Sequence, residues 1–275
     1  MCLTAWVSTD NARFPWLIAS NRDEFFDRAA APMAWWHPVP DGPAVLGGRD
    51  LSAGGTWQGL TAQGRMALLT NVREPGRHDA SAPSRGGLVP QALLADSISP
   101  AWLRATTETP RNGFNLVVAD LAGQQAHWVS NRAPEPLTLG PGCHGLSNAA
   151  LDSPWPKVAA LRQRLQDAVA TAAERSSLVA AALAALADRQ VPADDALPTT
   201  GVPLLRERQL APAFIHIPAA QPGGVAYGTR SATVIVVEQA GPTRWVHVTE
   251  RRFNADARAI GDSHHRFALP EAAEG

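Results

Sequence analysis

The sequence has only two cysteines, Cys2 and Cys143. Two thiols cannot build a disulfide framework or a four-thiolate zinc site. The 8 histidines are scattered, with no His-x3-His pair on a predicted helix and no Cys-x2-Cys motif. We therefore predict no structural metal and no required cofactor.

Long apolar runs are also missing. No stretch of about 18 apolar residues is present, which predicts that the chain does not insert into a membrane. The first twenty residues lack a basic segment and a small-x-small cleavage site, and Asp10, Asn11 and Arg13 interrupt their apolar character. We expect the N-terminus to remain on the mature protein, in the cytoplasm.

Charge of one sign is not in excess, since the formal net charge is −1 and the isoelectric point is about 6.7. Such a balance gives no long-range attraction to nucleic acid or to an anionic membrane. We expect a small-molecule ligand or substrate, and the oligomeric state stays open. Lysine is nearly absent: Lys157 is one of 24 basic residues, and the others are arginines. That preference indicates a GC-rich, bacterial coding bias.

Residue patterns predict strands and helices in a mixed order. Strands are expected at 2–8, 16–20, 64–72, 114–121 and 125–131, and a hairpin around "AGPT" near the C-terminus. A helix is expected after "SRGGLVPQALLAD", and two more lie within 156–189, with Pro156 starting one and Ser176–Ser177 capping the other. This order predicts one α+β domain over residues 1–255, followed by a frayed tail at 256–275.

A polar quartet, Asn21–Glu24, interrupts the second predicted strand and is followed at once by two phenylalanines. If the first two strands form an antiparallel hairpin, paired positions sum to about 24, so Cys2 lies opposite Arg22, or opposite Asn21 after a half-residue shift. Directly opposed residues share a face, with Cβ atoms about 4.5–5.5 Å apart. The quartet is therefore predicted to lie beside Cys2.

Cys2 has the chemistry of an N-terminal nucleophile if Met1 is removed. The mature chain would then begin with a thiol and with an α-amine of pKa about 7.7–8.0 that can act as a base. Arg22 would favour the thiolate, and Asp23 would hold the ammonium group. The alternative is an incidental cysteine beside a solvated turn, and the pattern alone leaves both interpretations open.

Several longer motifs carry a family resemblance. They are "MCLTAW", "SNRDEFFDR", "GGRDLSAGGTWQG", "ALLTNVREP", "SRGGLV", "NGFNLVV", "GLSNAALDSPWPK" and "YGTRSATVIVV". From Cys2 to about Phe253, the sequence resembles the NRDE-domain family, which includes the transport and Golgi organisation proteins. The resemblance implies an N-terminal-nucleophile fold, a four-layer αββα sandwich, related to cysteine amidases of the bile-salt hydrolase and penicillin V acylase type.

The resemblance also implies a set of site residues. Asn71 and Asn148 would donate hydrogen bonds to a developing oxyanion. The residues expected to act in catalysis are Cys2, Arg22, Asp23, Asn71, Asn148 and Arg230. The residues expected to contact substrate are Asn21, Glu24, Trp57, Arg73 and Tyr227.

Two functions follow as expectations. The first is an N-terminal-cysteine hydrolase that cleaves the C–N bond of an apolar acyl amide, with Trp35, Trp36 and Trp57 lining an apolar mouth. The second is a non-catalytic carrier of haem or an acyl-CoA-like anion in the same cleft, held by arginines. Cys143-His144 is a candidate haem-ligand pair, and its alternative is a loop thiol beside a surface histidine.

Overall fold

The structure is a computed structural model that describes residues 2–270. Its strands are β1 (Cys2–Ser8), β2 (Trp16–Phe25), β3 (Ala30–Trp36), β4 (Val45–Asp50), β5 (Gln58–Leu60), β6 (Arg65–Asn71), β7 (Phe114–Asp120), β8 (Gln125–Ser130), β9 (Leu137–Leu139), β10 (Gly142–Leu146), β11 (His216–Ile217), β12 (Tyr227–Ala240), β13 (Thr243–Phe253) and β14 (Ala259–Ala268). Its helices are α1 (Leu88–Leu94), α2 (Pro100–Glu108), α3 (Pro156–Thr171), α4 (Arg175–Leu186) and α5 (Leu204–Leu210).

The strands form two antiparallel sheets. Sheet A has the order β10-β1-β2-β12-β13-β14, with β11 added on β12. Sheet B has the order β3-β4-β5-β6-β7-β8-β9. The predicted α+β class is therefore confirmed.

Alternation along the strands places the sheets and helices in four layers. In β1, Leu3 and Val7 pack with helices α3 and α4, whereas Trp6 packs between the two sheets. The outer face of sheet B packs against α1 and α2 through residues such as Val118 and Leu103. Successive strand residues point to opposite faces, so each sheet supplies both a helix-facing core and a shared inter-sheet core. The predicted αββα sandwich is confirmed.

The polar quartet lies within a strand rather than after one. Strand β2 continues to Phe25, and Cys2 pairs with Arg22 as the hairpin count predicted. On its other edge β2 pairs with β12, where Arg22 lies opposite Ser231 and Asp23 opposite Thr229. The quartet is therefore held between two strands, close to the start of the chain.

The C-terminal prediction is wrong over most of its length. Residues Ala259–Ala268 form β14 on the edge of sheet A, with Phe267 packed on the inter-sheet core and Leu269 buried. These apolar contacts hold a strand within the last twenty residues, whose overall Ala and Glu content predicted a frayed tail. Residues 271–275 lie outside the described part. The predicted Ser176–Ser177 cap is also wrong, because α4 begins at Arg175. The single-domain boundary stays a prediction.

No helix within residues 2–270 combines the length and the apolar character that crossing a bilayer requires.

Candidate active site

A cleft of about 280 Å³ opens beside Cys2, where β1 and β2 meet two loops that precede β5 and α1. Six of the predicted site residues line it: Cys2, Arg22, Asp23, Glu24, Trp57 and Asn71. The other lining residues are Arg28, Asp50, Ala53, Thr56, Leu69, His78, Asp79, Ala80, Ala82, Pro83, Ser84, Arg85, Gly86 and Asn112.

Cys2 is fixed at this cleft by contacts from neighbouring strands. The Ser147 hydroxyl donates to the Cys2 carbonyl at 3.0 Å, and the Asp23 backbone N–H donates to the thiol. Burial raises the pKa of the Cys2 thiol, and the positive charge of Arg22 only partly opposes this rise. Arg22 therefore acts in the expected direction and lowers the thiol pKa, but the expectation of a net pKa below the free value was wrong, because desolvation is the larger effect.

Arg22 points toward sheet B. Its guanidinium lies over the Trp57 ring at 4.2 Å, and its Nη1 is buried with no hydrogen-bond partner among the described residues. Trp57 can occupy this place because residue 48 is glycine: a Cβ there would lie 2.4 Å from the indole ring. Arg22 therefore keeps a donor for a bound group.

Asp23 points to the opposite face of β2, as its adjacent position requires. Its carboxylate accepts a hydrogen bond from the Thr229 hydroxyl at 2.7 Å and is almost completely buried. Burial raises the pKa of Asp23, and the charge of Lys157 opposes this rise. Because β1 begins at Cys2, the side chains of Arg22 and Asp23 flank Cys2 from the two faces of the sheet.

Lys157 is a component of the site that the sequence reasoning missed. It lies in the first turn of α3, is 6% exposed, and donates from Nζ to the Leu210 carbonyl at 2.9 Å. Burial lowers the pKa of Lys157 to about 8, while Asp23 raises it. The available signal was composition, since this is the lone lysine in a chain that otherwise uses arginine.

The single lysine allows a direct titration. In protein labelled with ¹³C-lysine, the Lys157 Cε resonance is expected to titrate near pH 8 rather than 10.5. Asp23→Asn should lower the midpoint further, because it removes the attracting carboxylate. Asp167→Asn, on the same helix, is the matched control and should leave the midpoint unchanged. A wild-type midpoint close to 10.5 would contradict the buried environment.

The same shift gives stability a defined pH dependence. The folded-state pKa of Lys157 is lowered, so between about pH 8 and 10.5 the unfolded chain binds more protons at this group. The contribution of Lys157 to the free energy of unfolding therefore rises with pH across that window. In urea titrations at pH 8 and 10, the difference in the free energy of unfolding between wild type and Lys157→Met should shift in favour of the wild type as pH rises.

Charged side chains line much of the cleft, where the sequence predicted an apolar mouth. Arg28 pairs with Asp50 at 2.6 Å and lies 3.8 Å from Glu24. Arg85 donates to the Gly113 carbonyl at 3.0 Å, and burial together with the nearby Arg28 charge lowers the pKa of Arg85. Neither arginine was predicted, although Arg85 stands within the "SRGGLV" motif. Apolar contact in the cleft comes chiefly from Trp57, since Trp35 packs on Phe267 and Trp36 lies beneath Arg49.

Close backbone packing shapes the wall of the cleft. The Thr56 N–H donates to the Gly86 carbonyl at 3.2 Å, which joins the two loops. A Cβ on Gly55 would lie 2.4 Å from the same carbonyl oxygen. Only glycine fits there, which explains part of the glycine-rich pattern at 47–55.

Three predicted substrate contacts lie behind the cleft wall. Asn21 points toward the helices and donates to the Leu186 and Ala213 carbonyls at 2.9 and 2.8 Å. Arg73 forms a buried ion pair with Glu207 at 2.9 Å. Tyr227 is buried, and its hydroxyl has no hydrogen-bond partner within the described chain. None of these three side chains is among the residues that line the cleft.

Two predicted catalytic residues also lie outside the lining of the cleft. The Asn148 side-chain amide donates to the Asn71 backbone carbonyl at 2.9 Å. Asn148 therefore holds the Asn71 backbone in place without lining the cleft. Arg230 sits where the β2–β12 register shifts, donates to the Phe25 and Arg28 carbonyls at 2.8 and 3.0 Å, and lines a neighbouring cavity. Whether these residues act in catalysis stays a prediction.

The candidate haem-ligand pair is separate from this cleft. Cys143 is buried and contacts the Arg162 carbonyl at 3.5 Å, while His144 is paired with Asp152 at 2.8 Å. Across residues 2–270 there is no group of three or more His, Cys, Asp or Glu side chains placed to hold a metal ion.

Comparison with known proteins places the chain in a family. The profile described as Transport and Golgi organisation 2 matches residues 1–255. The *Bos taurus* Transport and Golgi organization protein 2 homolog is 35% identical over 261 residues, covering 85% of this chain and 90% of that protein. The *Homo sapiens* homolog is 34% identical, covering 85% and 84%, and the *Drosophila melanogaster* protein is 27% identical, covering 90% and 92%.

Two solved structures are similar in outline. One is the *Caenorhabditis elegans* N-acylethanolamine-hydrolyzing acid amidase ortholog, with a TM-score of 0.48 and 13% identity, covering 86% of this chain and 92% of that one. The other is the C2A mutant of the *Clostridium perfringens* conjugated bile acid hydrolase, with a TM-score of 0.40 and 11% identity, covering 98% of each chain. The resemblance stated from the motifs is confirmed by the profile and the sequence relatives, and the chain belongs to the Transport and Golgi organisation 2 family.

Proposed function

We propose that this protein is an N-terminal-cysteine hydrolase that cleaves the C–N bond of an amide. The observation that carries the proposal is the position of Cys2. It opens on a cleft of about 280 Å³, directly opposite Arg22 and hydrogen-bonded by the Asp23 backbone. An incidental cysteine would not need a buried arginine on one side and a buried carboxylate on the other.

The reaction requires removal of Met1, which leaves Cys2 with a free α-amine. Burial raises the thiol pKa, so the proton stays on sulfur until a base accepts it. The neutral α-amine takes that proton as sulfur attacks the amide carbonyl, and it returns the proton to the leaving amine. The resulting thioester is then hydrolysed by water, with the same amine as base, which releases the acid and restores the thiol.

Neighbouring groups have separate tasks in this scheme. The buried Asp23 carboxylate holds the ammonium form of the α-amine, and Lys157 moderates the negative charge of that carboxylate. Asn71 lines the cleft and is positioned by Asn148, so its amide is the candidate oxyanion donor. Arg22 lines the cleft, so its positive charge can attract an anionic part of the substrate.

The lining also narrows the substrate class. Trp57 and Leu69 offer apolar contact for an acyl group, and Arg85 and His78 add polar contacts. We propose an acyl amide of limited apolar area that carries an anionic group. The screen that tests this compares N-acyl amino acids, neutral N-acyl amides, acyl-CoAs and haem. Cleavage of N-acyl amino acids supports the hydrolase, whereas tight haem or acyl-CoA binding without cleavage of any amide favours the carrier.

The two cysteines should differ in reactivity. Cys2 is partly exposed, whereas Cys143 is buried. Iodoacetamide is therefore expected to label Cys2 several-fold faster than Cys143 at pH 8. Peptide mapping over a time course measures both rates in one sample, and urea-unfolded protein gives the reference in which the rates converge. Equal rates in the folded protein would argue against an accessible nucleophile.

A further inference from the structure

A second cavity lies next to the cleft, on the other side of Arg22 and Trp57. Its volume is about 80 Å³. Ile260, which is 58% exposed, is among its lining residues and marks the side from which a small ligand can enter. Its lining residues are Arg22, Ala30, Trp57, Arg230, Ser231, Glu250, Arg252, Phe253 and Ile260.

Strand register explains why arginines converge here. Pairing across sheet A places Cys2, Arg22, Ser231 and Arg252 in one row on neighbouring strands. Residues opposed in this way point to the same face of the sheet. Arg230 joins them because the register of β12 shifts beside Ser231. The row therefore begins in the cleft at Cys2 and ends in the second cavity at Arg252.

The cavity contains unused hydrogen-bonding groups. Arg22 Nη1, Ser231 Oγ and Arg252 Nε are buried and have no hydrogen-bond partner in the described part of the chain. Arg22 is 5% exposed and Ser231 is 4% exposed, so solvent cannot readily satisfy them. Buried polar groups of native proteins normally have partners. Several such groups around one cavity indicate a ligand.

The charge of the cavity is positive. Three arginines and one carboxylate, that of Glu250, line it. The Glu250 carboxylate accepts a hydrogen bond from the Met33 N–H at 2.9 Å and lies 3.9 Å from Arg252 Nε. Burial and the nearby Arg22 charge lower the pKa of Arg230, which is the effect expected where cations are crowded. A bound anion would offset this repulsion.

We propose that this cavity binds a phosphate group, either as inorganic phosphate or as the end of a phosphorylated small molecule. About 80 Å³ accommodates one small oxyanion, since a single water molecule needs about 10–15 Å³ in the same measure. A phosphate carries about −1.5 to −2 charge and accepts several hydrogen bonds, which matches the arginine excess. The site does not depend on the hydrolase proposal.

Arg22 links this site to Cys2. It lines both cavities, and its charge favours the Cys2 thiolate. An anion bound against Arg22 offsets that charge, so the thiol holds its proton more tightly. Bound phosphate is therefore expected to slow Cys2 alkylation about threefold at pH 8, which corresponds to about half a pKa unit.

Calorimetric titration with inorganic phosphate, glycerol 3-phosphate and acetate tests the site. Wild type should bind a phosphate probe saturably, and Arg252→Met should weaken binding roughly tenfold or more. Arg251→Met is the matched control. This neighbour points to the other face, pairs with Asp262 at 2.8 Å, and should leave affinity unchanged. Tighter binding of glycerol 3-phosphate identifies a phosphorylated molecule, and equal binding identifies inorganic phosphate.

Other outcomes would overturn the proposal. They are the absence of saturable binding in wild type, equal weakening in both arginine variants, or equal affinity for acetate and phosphate. Ser231→Ala provides a gentler change that removes one hydroxyl and should weaken phosphate binding severalfold. Thermal melts without ligand separate loss of the site from loss of folding. Because binding is measured without turnover, failure of the hydrolase proposal would leave this result interpretable.

Discussion

Replacement of Cys2 by serine is expected to lower amide turnover by on the order of 10³-fold or more, with ligand affinity near that of wild type. A hydroxyl is a far weaker nucleophile than a thiol near neutral pH, while its size and hydrogen bonding are similar. Ser147 would still hold the residue 2 carbonyl, because that contact involves the backbone. The loss should therefore fall on kcat rather than on KM.

Cys143→Ser is the matched control for this change. Cys143 is buried on β10 beside α3, away from the cleft, so its replacement should leave kcat unchanged. Both variants need intact-mass measurement, since serine at position 2 also permits Met1 removal. Equal turnover in Cys2→Ser and wild type would exclude Cys2 as the nucleophile.

Arg73→Leu is expected to lower the free energy of unfolding by about 3–5 kcal/mol. The Arg73–Glu207 pair spans 2.9 Å, and its side chains are only 6% and 4% exposed. Glu207 also accepts hydrogen bonds from the Thr200 N–H and hydroxyl at 2.8 and 2.6 Å. Removing the arginine would leave a buried carboxylate with neutral partners, which is the costly situation for an ion pair.

Urea denaturation with three further variants tests this explanation: Arg104→Leu, Glu207→Leu and the double variant of Arg73 and Glu207. Arg104→Leu breaks an exposed pair with Glu135, whose side chains are 55% and 65% exposed, and should cost less than about 1 kcal/mol. Arg73→Leu combined with Glu207→Leu should recover much of the loss, because no unpaired charge remains. A double variant as unstable as the sum of the two single changes would show that the pair is not coupled.

The part of the site that depends on strand register was predictable from sequence. A short hairpin fixes which residues face each other, so counting placed Arg22 opposite Cys2. The same alternation explains why Asn21, which was expected to contact substrate, does not line the cleft. It neighbours Arg22, points to the helix layer, and satisfies backbone carbonyls there. A motif marks such residues together and does not reveal which face each one occupies.

Long-range packing was not predictable in this way. Arg230 is displaced into a neighbouring cavity by a register shift in β12, and no residue pattern announced that shift. Lys157 reaches the site because α3 packs on β1, a contact between segments about 150 residues apart in sequence. Strand β14 was mistaken for a frayed tail because its exposed edge carries polar residues that composition alone assigns to disorder.

The most direct test of the central claim is mass spectrometry of the protein after brief exposure to an activated acyl compound. An N-acyl derivative of 5-amino-2-nitrobenzoic acid is suitable, because it keeps an anionic carboxylate and its nitroaniline is a good leaving group, which allows the thioester to accumulate. We predict that Met1 is absent, and that one acyl group is attached to Cys2 by a bond that hydroxylamine cleaves. Retention of Met1, or acylation that is absent or located only on Cys143, would contradict the account.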